Sequence, residues 1–383
     1  MKDYGVLFLE IKNKIQKAQV KTVITANAHM LFLYWEMGNY ILKHQNEQGW
    51  GAKIIKLLAA DLKKEFPAIK GFSARNLLYM KQFSEAYPIE FLRRFVELED
   101  ELNSKNAFAQ QLVSQMLSID NQNFVIAQQP AAQLDEVVFL QSVVAKLTWS
   151  HHMILLDKLT HPGKRFWYML NTIEHGNSRN VLAMQIQSDL FERQVVAKKI
   201  TNFSRTLPEP NTDFANYIIK DPYIFDFVQA KEKADERNIE QQLTDHITKF
   251  LLELGKGFAF IGKQVKMEVG GQDFYIDLLL YHIRLHAYVV VELKARDFQA
   301  GDAGQLNFYI NLINDRMKGP NDHDTIGILL CKGKNEVLAE YALRGMMHPI
   351  GVAEYQLAKA VPEELKSQLP DIADLEQELA EEQ

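Results

Sequence analysis

The sequence predicts an α/β fold: a compact α/β/α core in the last third of the chain, preceded by a mostly α-helical region. Three observations carry that expectation. The phrases DFYIDLLLY, AYVVVELKA and TIGILLCK are short runs dense in β-branched and aromatic side chains, as strands are. A helix with apolar residues every three or four positions precedes them and another interrupts them, so the order helix, three strands, helix, strand closes into layers. The first 94 residues repeat only the helical spacing, and a chain of 383 residues has room for more than one core.

Taken in order, IKLLAADLKKEF and NLLYMKQF read as amphipathic helices separated by a turn. Gly71 breaks the chain there, and Ser73 is placed to cap a helix whose first turn holds Arg75 and Asn76. A related phrase returns as HGNSRNVLAMQIQ, with Gly176 as the break, Ser178 as the cap, and Arg179 and Asn180 in the first turn. The two make helix-turn-helix-like units. Such a unit sets the start of its second helix in the major groove, so Arg75, Lys81, Arg179 and Arg193 are the natural DNA contacts. Ordinary capping of a surface helix would use the same residue types.

Residues 103–133 contain 11 Asn or Gln and read as a linker or exposed insertion. His151, His152 and His161 cluster, but adjacent histidines diverge on a helix, so capping and packing explain them better than a metal does. Pro208 and Pro210 mark a boundary. The expected divisions are a helical region at 1–206, a connection at 207–235, the α/β/α core at 236–358 and an acidic tail at 359–383. In the core, residues 239–254 form one amphipathic helix ended by Gly255 and Gly257. VKMEV, the Gly270-Gly271 turn and DFYIDLLLY form a hairpin, and AYVVVELKA a third strand. A helix over 305–316, the strand TIGILLCK and the helix NEVLAEYAL complete it.

The formal charge of -6 hides an uneven distribution. Residues 1–94 carry 15 Lys and Arg against 8 Asp and Glu, and 151–206 carry 8 against 4, so both capped units fall in basic blocks that suit an anionic partner. Residues 345–383 carry 2 against 9, which supplies the negative sign. Cys331 is the only cysteine, which excludes an intrachain disulfide and thiolate zinc sites and fits a reducing cytoplasm. No stretch approaches the roughly 18 apolar residues of a membrane span, and no export signal is legible, so the expected location is cytoplasmic with no membrane partner.

Three ionisable residues interrupt the most apolar strands: Asp277 in FYIDLLLYH, and Glu292 and Lys294 in VVVELKA. A buried charge is tolerated when it is paired or holds a metal. Glu292 and Lys294, two apart on one strand, share a face, and a neighbouring strand can bring Asp277 beside them. Two carboxylates and an amine suit Mg2+ or Mn2+ and phosphoryl chemistry; an internal salt bridge of Lys294 with one carboxylate is the plainer alternative. Glu240 lies in line with the buried stripe of its helix. Gln305 and Tyr309, one turn apart in GQLNFY, face the same way.

The series Glu240, Asp277, Glu292-Leu-Lys294 and Gln305-x-x-x-Tyr309 resembles a PD-(D/E)XK nuclease core, a restriction-endonuclease-like fold, with Ile276 where the proline of the name would stand. LLELGKGFAFIGKQ, DFYIDLLLYH, VVVELKA and GQLNFY, with LYWEMGNYI, GFSARNLLYMKQF and KDPYIFDF earlier, resemble the bacterial YhcG-like nucleases across most of the chain. The resemblance implies that Asp277 and Glu292 hold Mg2+ or Mn2+, that Glu240 assists the metal site, that Lys294 serves the water, and that Gln305 and Tyr309 orient the site. It implies a nucleic-acid substrate, with DNA as the expected form, hydrolysed at phosphodiester bonds. A homo-oligomer or partner proteins are open, and the alternative function is a DNA- or partner-binding protein whose nuclease fold is a scaffold or is active only within a complex. No Gly-x4-Gly-Lys-Ser/Thr phosphate loop is present to support nucleotide hydrolysis.

Overall fold

The computed structural model describes residues 2–48, 52–105, 132–209, 211–228 and 235–357. Most of the Gln/Asn-rich stretch at 103–133 and all of the acidic tail at 359–383 lie outside them. The chain divides into two compact units, Met1–Phe191 and Glu192–Gln383.

The first unit is helical: α1 (Lys2–Gln48), α2 (Ala52–Glu65), α3 (Ala74–Ala86), α4 (Ile89–Lys105), α5 (Ala132–Gln141), α6 (Trp149–Lys158), α7 (Pro162–His175) and α8 (Arg179–Gln187). Both expected caps are made. Ser73 Oγ accepts from the Asn76 N–H at 3.2 Å, and Ser178 Oγ from the Val181 N–H at 3.3 Å. Gly176 ends α7 at φ 63°, a left-handed position that glycine takes without strain. Residues 176–178 form a connection as short as a helix-turn-helix requires, whereas residues 66–73 between α2 and α3 run longer than that motif's turn of about 3 to 4 residues. The core is aromatic: Phe83 meets the edges of Tyr87, Trp149 and His152 at centroid distances of 5.2, 5.2 and 4.8 Å. Where α1 crosses α3 the backbones nearly touch. A Cβ on Gly38 would lie 2.0 Å from the Met80 carbonyl oxygen and 2.1 Å from Ser84 Oγ, and that hydroxyl donates to the Trp35 carbonyl at 2.5 Å.

The expected histidine cluster caps and packs. His152 is buried with Nε2 2.8 Å from the Val144 carbonyl oxygen, His161 caps α7 by accepting from the Gly163 N–H, and His151 lies between Thr148 and the Asn177 carbonyl.

In the second unit the strands run in the order β1 (Ile200–Thr201), β7 (Ile350–Leu357), β6 (Ile326–Cys331), β5 (Ala287–Lys294), β4 (Gln272–His282), β3 (Phe258–Val269). β3, β4 and β5 are antiparallel neighbours, while β5, β6 and β7 are parallel. β5 and β6 are buried almost throughout, which matches their unbroken apolar runs. Helix α13 (Ala300–Arg316) is the crossover between β5 and β6, and packs Leu306, Ile310 and Ile313 into the sheet core. α14 (Glu336–Leu343) crosses between β6 and β7.

Three features depart from the sequence reading. The helix expected over 239–254 is two, α11 (Glu236–Asp245) and α12 (Ile247–Leu254), because His246 leaves helical backbone at ψ 42°. The buried stripe consequently passes from Leu243 to Phe250 and Leu254, leaving Ile247 and Leu251 half-buried. The VKMEV strand extends back to Phe258 through a bulge between Phe260 and Gly262. The stretch expected as the end of the helical region and a connection instead builds the sheet. β1 pairs antiparallel with β7, α9 (Phe203–Thr206) and α10 (Asn211–Ile218) follow, and β2 (Tyr223–Phe225) pairs parallel with β7. Asn202 fastens this edge, accepting from the Ile350 N–H at 2.8 Å and donating to the His348 carbonyl at 2.9 Å. Among the described residues no helix is long and apolar enough to cross a membrane.

Candidate active site

The antiparallel pairing of β4 with β5 places Asp277 next to the Leu278–Val291 pair, so its carboxylate reaches the backbone of β5 and accepts from the Leu293 N–H at 2.9 Å. Glu292 and Lys294 emerge on one face of β5, both buried, with Lys294 Nζ 2.9 Å from Glu292 Oε1. α13 lies over that face. Gln305 Nε2 donates to the same Glu292 Oε1 at 3.1 Å and to the Tyr309 hydroxyl at 3.1 Å, as a pair one turn apart can. The start of α13 is held by Arg296, which donates twice to Asp302 at 2.9 and 2.7 Å, and by a reciprocal cap between Gln299 and Asp302. Burial raises the Asp302 carboxyl, but Arg296 and the Gln299 N–H outweigh it and hold the group below the usual range.

Glu240 arrives from α11. It is buried, and its Oε2 accepts from Gln264 Nε2 at 2.6 Å; the same nitrogen donates to Asp277 Oδ1 at 3.1 Å. Glu236, a turn earlier, accepts from the Ala295 N–H at 3.1 Å and adds negative charge beside Asp277, Glu292 and Lys294. Sequence reasoning missed Gln264 and Glu236. Glu236 was open to the helical-spacing argument, since it precedes Glu240 by four on one face; Gln264 carried no signal in the sequence.

Desolvation dominates the electrostatics of the carboxylates. Burial raises Glu240 and Asp277 above ordinary carboxylates, despite the Gln264 amide on the first and the Leu293 N–H on the second. Burial, then the charge of Asp277, pushes Glu292 up to about 8. Desolvation lowers the Lys294 ammonium, but Glu292 beside it leaves it raised. The salt bridge expected from the plainer reading is present and incomplete: Glu292 Oε2 is buried with no hydrogen-bond partner among the described residues. A buried acceptor without a donor is costly, and a cation is one group that would satisfy it. Asp277 and Glu292 supply the one or two carboxylates that Mg2+ or Mn2+ takes from protein, the rest of its shell being water and phosphate. Among the described residues no group of three or more His, Cys, Asp or Glu side chains is arranged to hold a metal ion, and Glu240 meets Asp277 through the Gln264 amide.

In the helical unit Arg75 is exposed, 5.7 Å from the centroid of the Tyr79 ring, whose hydroxyl donates to Asp157. Arg179 is exposed at the start of α8, and Lys81 is half-buried on α3. Arg193 corrects the expectation of a DNA contact. It belongs to the second unit and is buried, donating to Glu253 Oε1 at 2.5 Å and to the Pro222 carbonyl at 3.1 Å, so its guanidinium is not offered to phosphate.

Residues 216–370 match the family described as YhcG PDDEXK nuclease domain, and residues 10–103 and 106–193 match the DUF1016 N-terminal domain. An Escherichia coli (strain K12) protein named "Putative nuclease YhcG" is 30% identical over 375 residues, spanning 95% of this chain and 90% of that one. Two solved structures are similar at 16% identity and a TM-score of 0.24: a repair endonuclease from Pyrococcus abyssi, over 34% of this chain, and EndoMS with double-stranded DNA, over 35%. In both, the match spans about half of the solved chain (49%), and a superposition that loose says nothing of this chain's chemistry.

Proposed function

The chain belongs to the YhcG family of PD-(D/E)XK nucleases, and from that membership we propose that it hydrolyses DNA phosphodiester bonds with Mg2+ or Mn2+ at the Asp277–Glu292–Lys294 site. The observation that carries the metal part is Glu292 Oε2, buried beside Asp277 with no hydrogen-bond partner among the described residues. Asp277 and Glu292 hold the cation through their oxygens. When bound, such an ion polarises a phosphodiester and acidifies its water. Lys294, held by Glu292 Oε1, orients the attacking water and offsets charge gathering on the phosphate in this reading. Gln305 fixes the same oxygen and ties it to Tyr309, so the donor set keeps its orientation as substrate arrives. Glu240 supports the site through Gln264. Arg75, Lys81 and Arg179 of the helical unit hold the backbone of the DNA.

The test is cleavage of single-stranded, duplex and branched DNA by the purified full-length protein with Mn2+, beside calorimetric titration of Mn2+. Asp277→Ala and Glu292→Ala should each lose cleavage and Mn2+ binding while DNA binding persists. Unchanged Mn2+ affinity in both would remove them as ligands.

A further inference from the structure

We propose that Gln264 is a positioning residue of this site, a neutral clamp that ties Asp277 to Glu240 and so sets the Asp277 oxygens for the cation; the inference rests on the nuclease reading above. The β3–β4 register pairs Lys263 with Leu278 and Val265 with Ile276, which leaves Gln264 opposite Asp277. Its backbone is left-handed, at φ 47°. Among the described residues Asp189 and His286 are the other non-glycine positions of that kind, and both lie in turns, whereas Gln264 lies inside a strand. A non-glycine residue holds that conformation inside a strand only when its surroundings enforce it, and such positions gather where function needs them.

What the conformation achieves is visible in the contacts. A primary amide has two hydrogens on one nitrogen, and Gln264 gives one to Glu240 Oε2 at 2.6 Å and the other to Asp277 Oδ1 at 3.1 Å. The second oxygen of Asp277 is already held by the Leu293 N–H. Both oxygens of Asp277 are thus fixed, and two carboxylates that would otherwise swing apart are set at a constant spacing. An amide does this without charge. A lysine or arginine at 264 would hold the carboxylates equally well and cancel the negative field that attracts the cation. Packing gives Gln264 no comparable reason to be there, since the residue is exposed. Partners that orient ligand carboxylates without touching the ion typically change metal affinity about 10- to 100-fold when removed.

Two variants of the full-length protein decide the matter. Gln264→Gly keeps the left-handed backbone, relieves its strain and removes the amide. It should melt at or above the parent temperature, bind Mn2+ roughly 10-fold or more weakly by calorimetry, and recover part of its DNA cleavage at high Mn2+. Gln264→Lys should fold and bind Mn2+ more weakly than Gln264→Gly, because the ammonium competes for the same carboxylates. Parent-like Mn2+ affinity in Gln264→Gly, or a lowered melting temperature, would overturn the positioning role and leave the nuclease reading intact. A parent protein that binds no Mn2+ would overturn the nuclease reading, and this inference with it.

Discussion

At the scale of single residues, the pair Lys294 and Glu292 tests whether charge here serves stability or chemistry. Removing one partner of a buried ion pair commonly costs about 3 to 5 kcal/mol. Here Glu292 can take up a proton, since burial and Asp277 push it up to about 8. Its folded value lies above its unfolded one, so its contribution to stability is complete below about pH 4.5 and is lost as the pH rises through about 8. Lys294→Met should accordingly cost less than about 3 kcal/mol near neutrality, cost more above about pH 8, and abolish cleavage. Denaturant midpoints across that range, run beside a cleavage assay, measure all three; a large loss at neutral pH with cutting retained would make the lysine structural. Asp277, Glu292 and Lys294 were legible in the sequence because a charge inside an apolar strand demands a reason. Gln264 was not, because a left-handed backbone at an exposed strand position leaves no mark in composition or periodicity.

At the scale of elements, capping was readable wherever side chain and backbone are close in sequence, as with Ser73 and Ser178. What long-range contact decides was not. Residues 200–225 read as a helix end and a connection, yet β1 and β2 form there because Asn202 and the β7 backbone, about 150 residues later, complete their hydrogen bonds. The crossing of α1 and α3 is of the same kind. A glycine inside a helix ordinarily loses stability relative to alanine by about 1 kcal/mol. At Gly38 the sign should reverse, since the added methyl meets the Met80 carbonyl of a neighbouring helix. Gly38→Ala should destabilise the helical unit by about 1 to 3 kcal/mol, as overpacking does. Thermal melts of the variant would show this, and a parent-like midpoint would mean that the two helices can part at no cost.

At the scale of the whole molecule, the chain combines a basic helical unit with a unit bearing the site. If the helical unit grips DNA, reversing Arg75 or Arg179 to Glu should weaken binding and flatten its salt dependence, each phosphate contact contributing about -0.9 to the log–log slope on duplex DNA. Mn2+ affinity should stay at the parent value. The control is Arg193→Glu, which replaces the nearer of Glu253's two cationic partners with a carboxylate, leaving Lys220 at 3.9 Å, and should lower stability rather than the salt slope. Equal slopes in parent, Arg75→Glu and Arg179→Glu would return those arginines to ordinary surface.

The Asn202-fastened edge of the sheet also determines where this protein can be cut. A fragment starting at residue 236 retains every residue of the site but strips β7 of both β1 and β2, leaving an apolar, parallel strand with an open row of amides and carbonyls. Such a row recruits other chains. That fragment should precipitate or pair with copies of itself, whereas one starting at residue 192 should remain dispersed in light scattering. The unit that could be moved intact into another protein is therefore bounded by how its sheet is closed, and it is larger than the stretch carrying its chemistry.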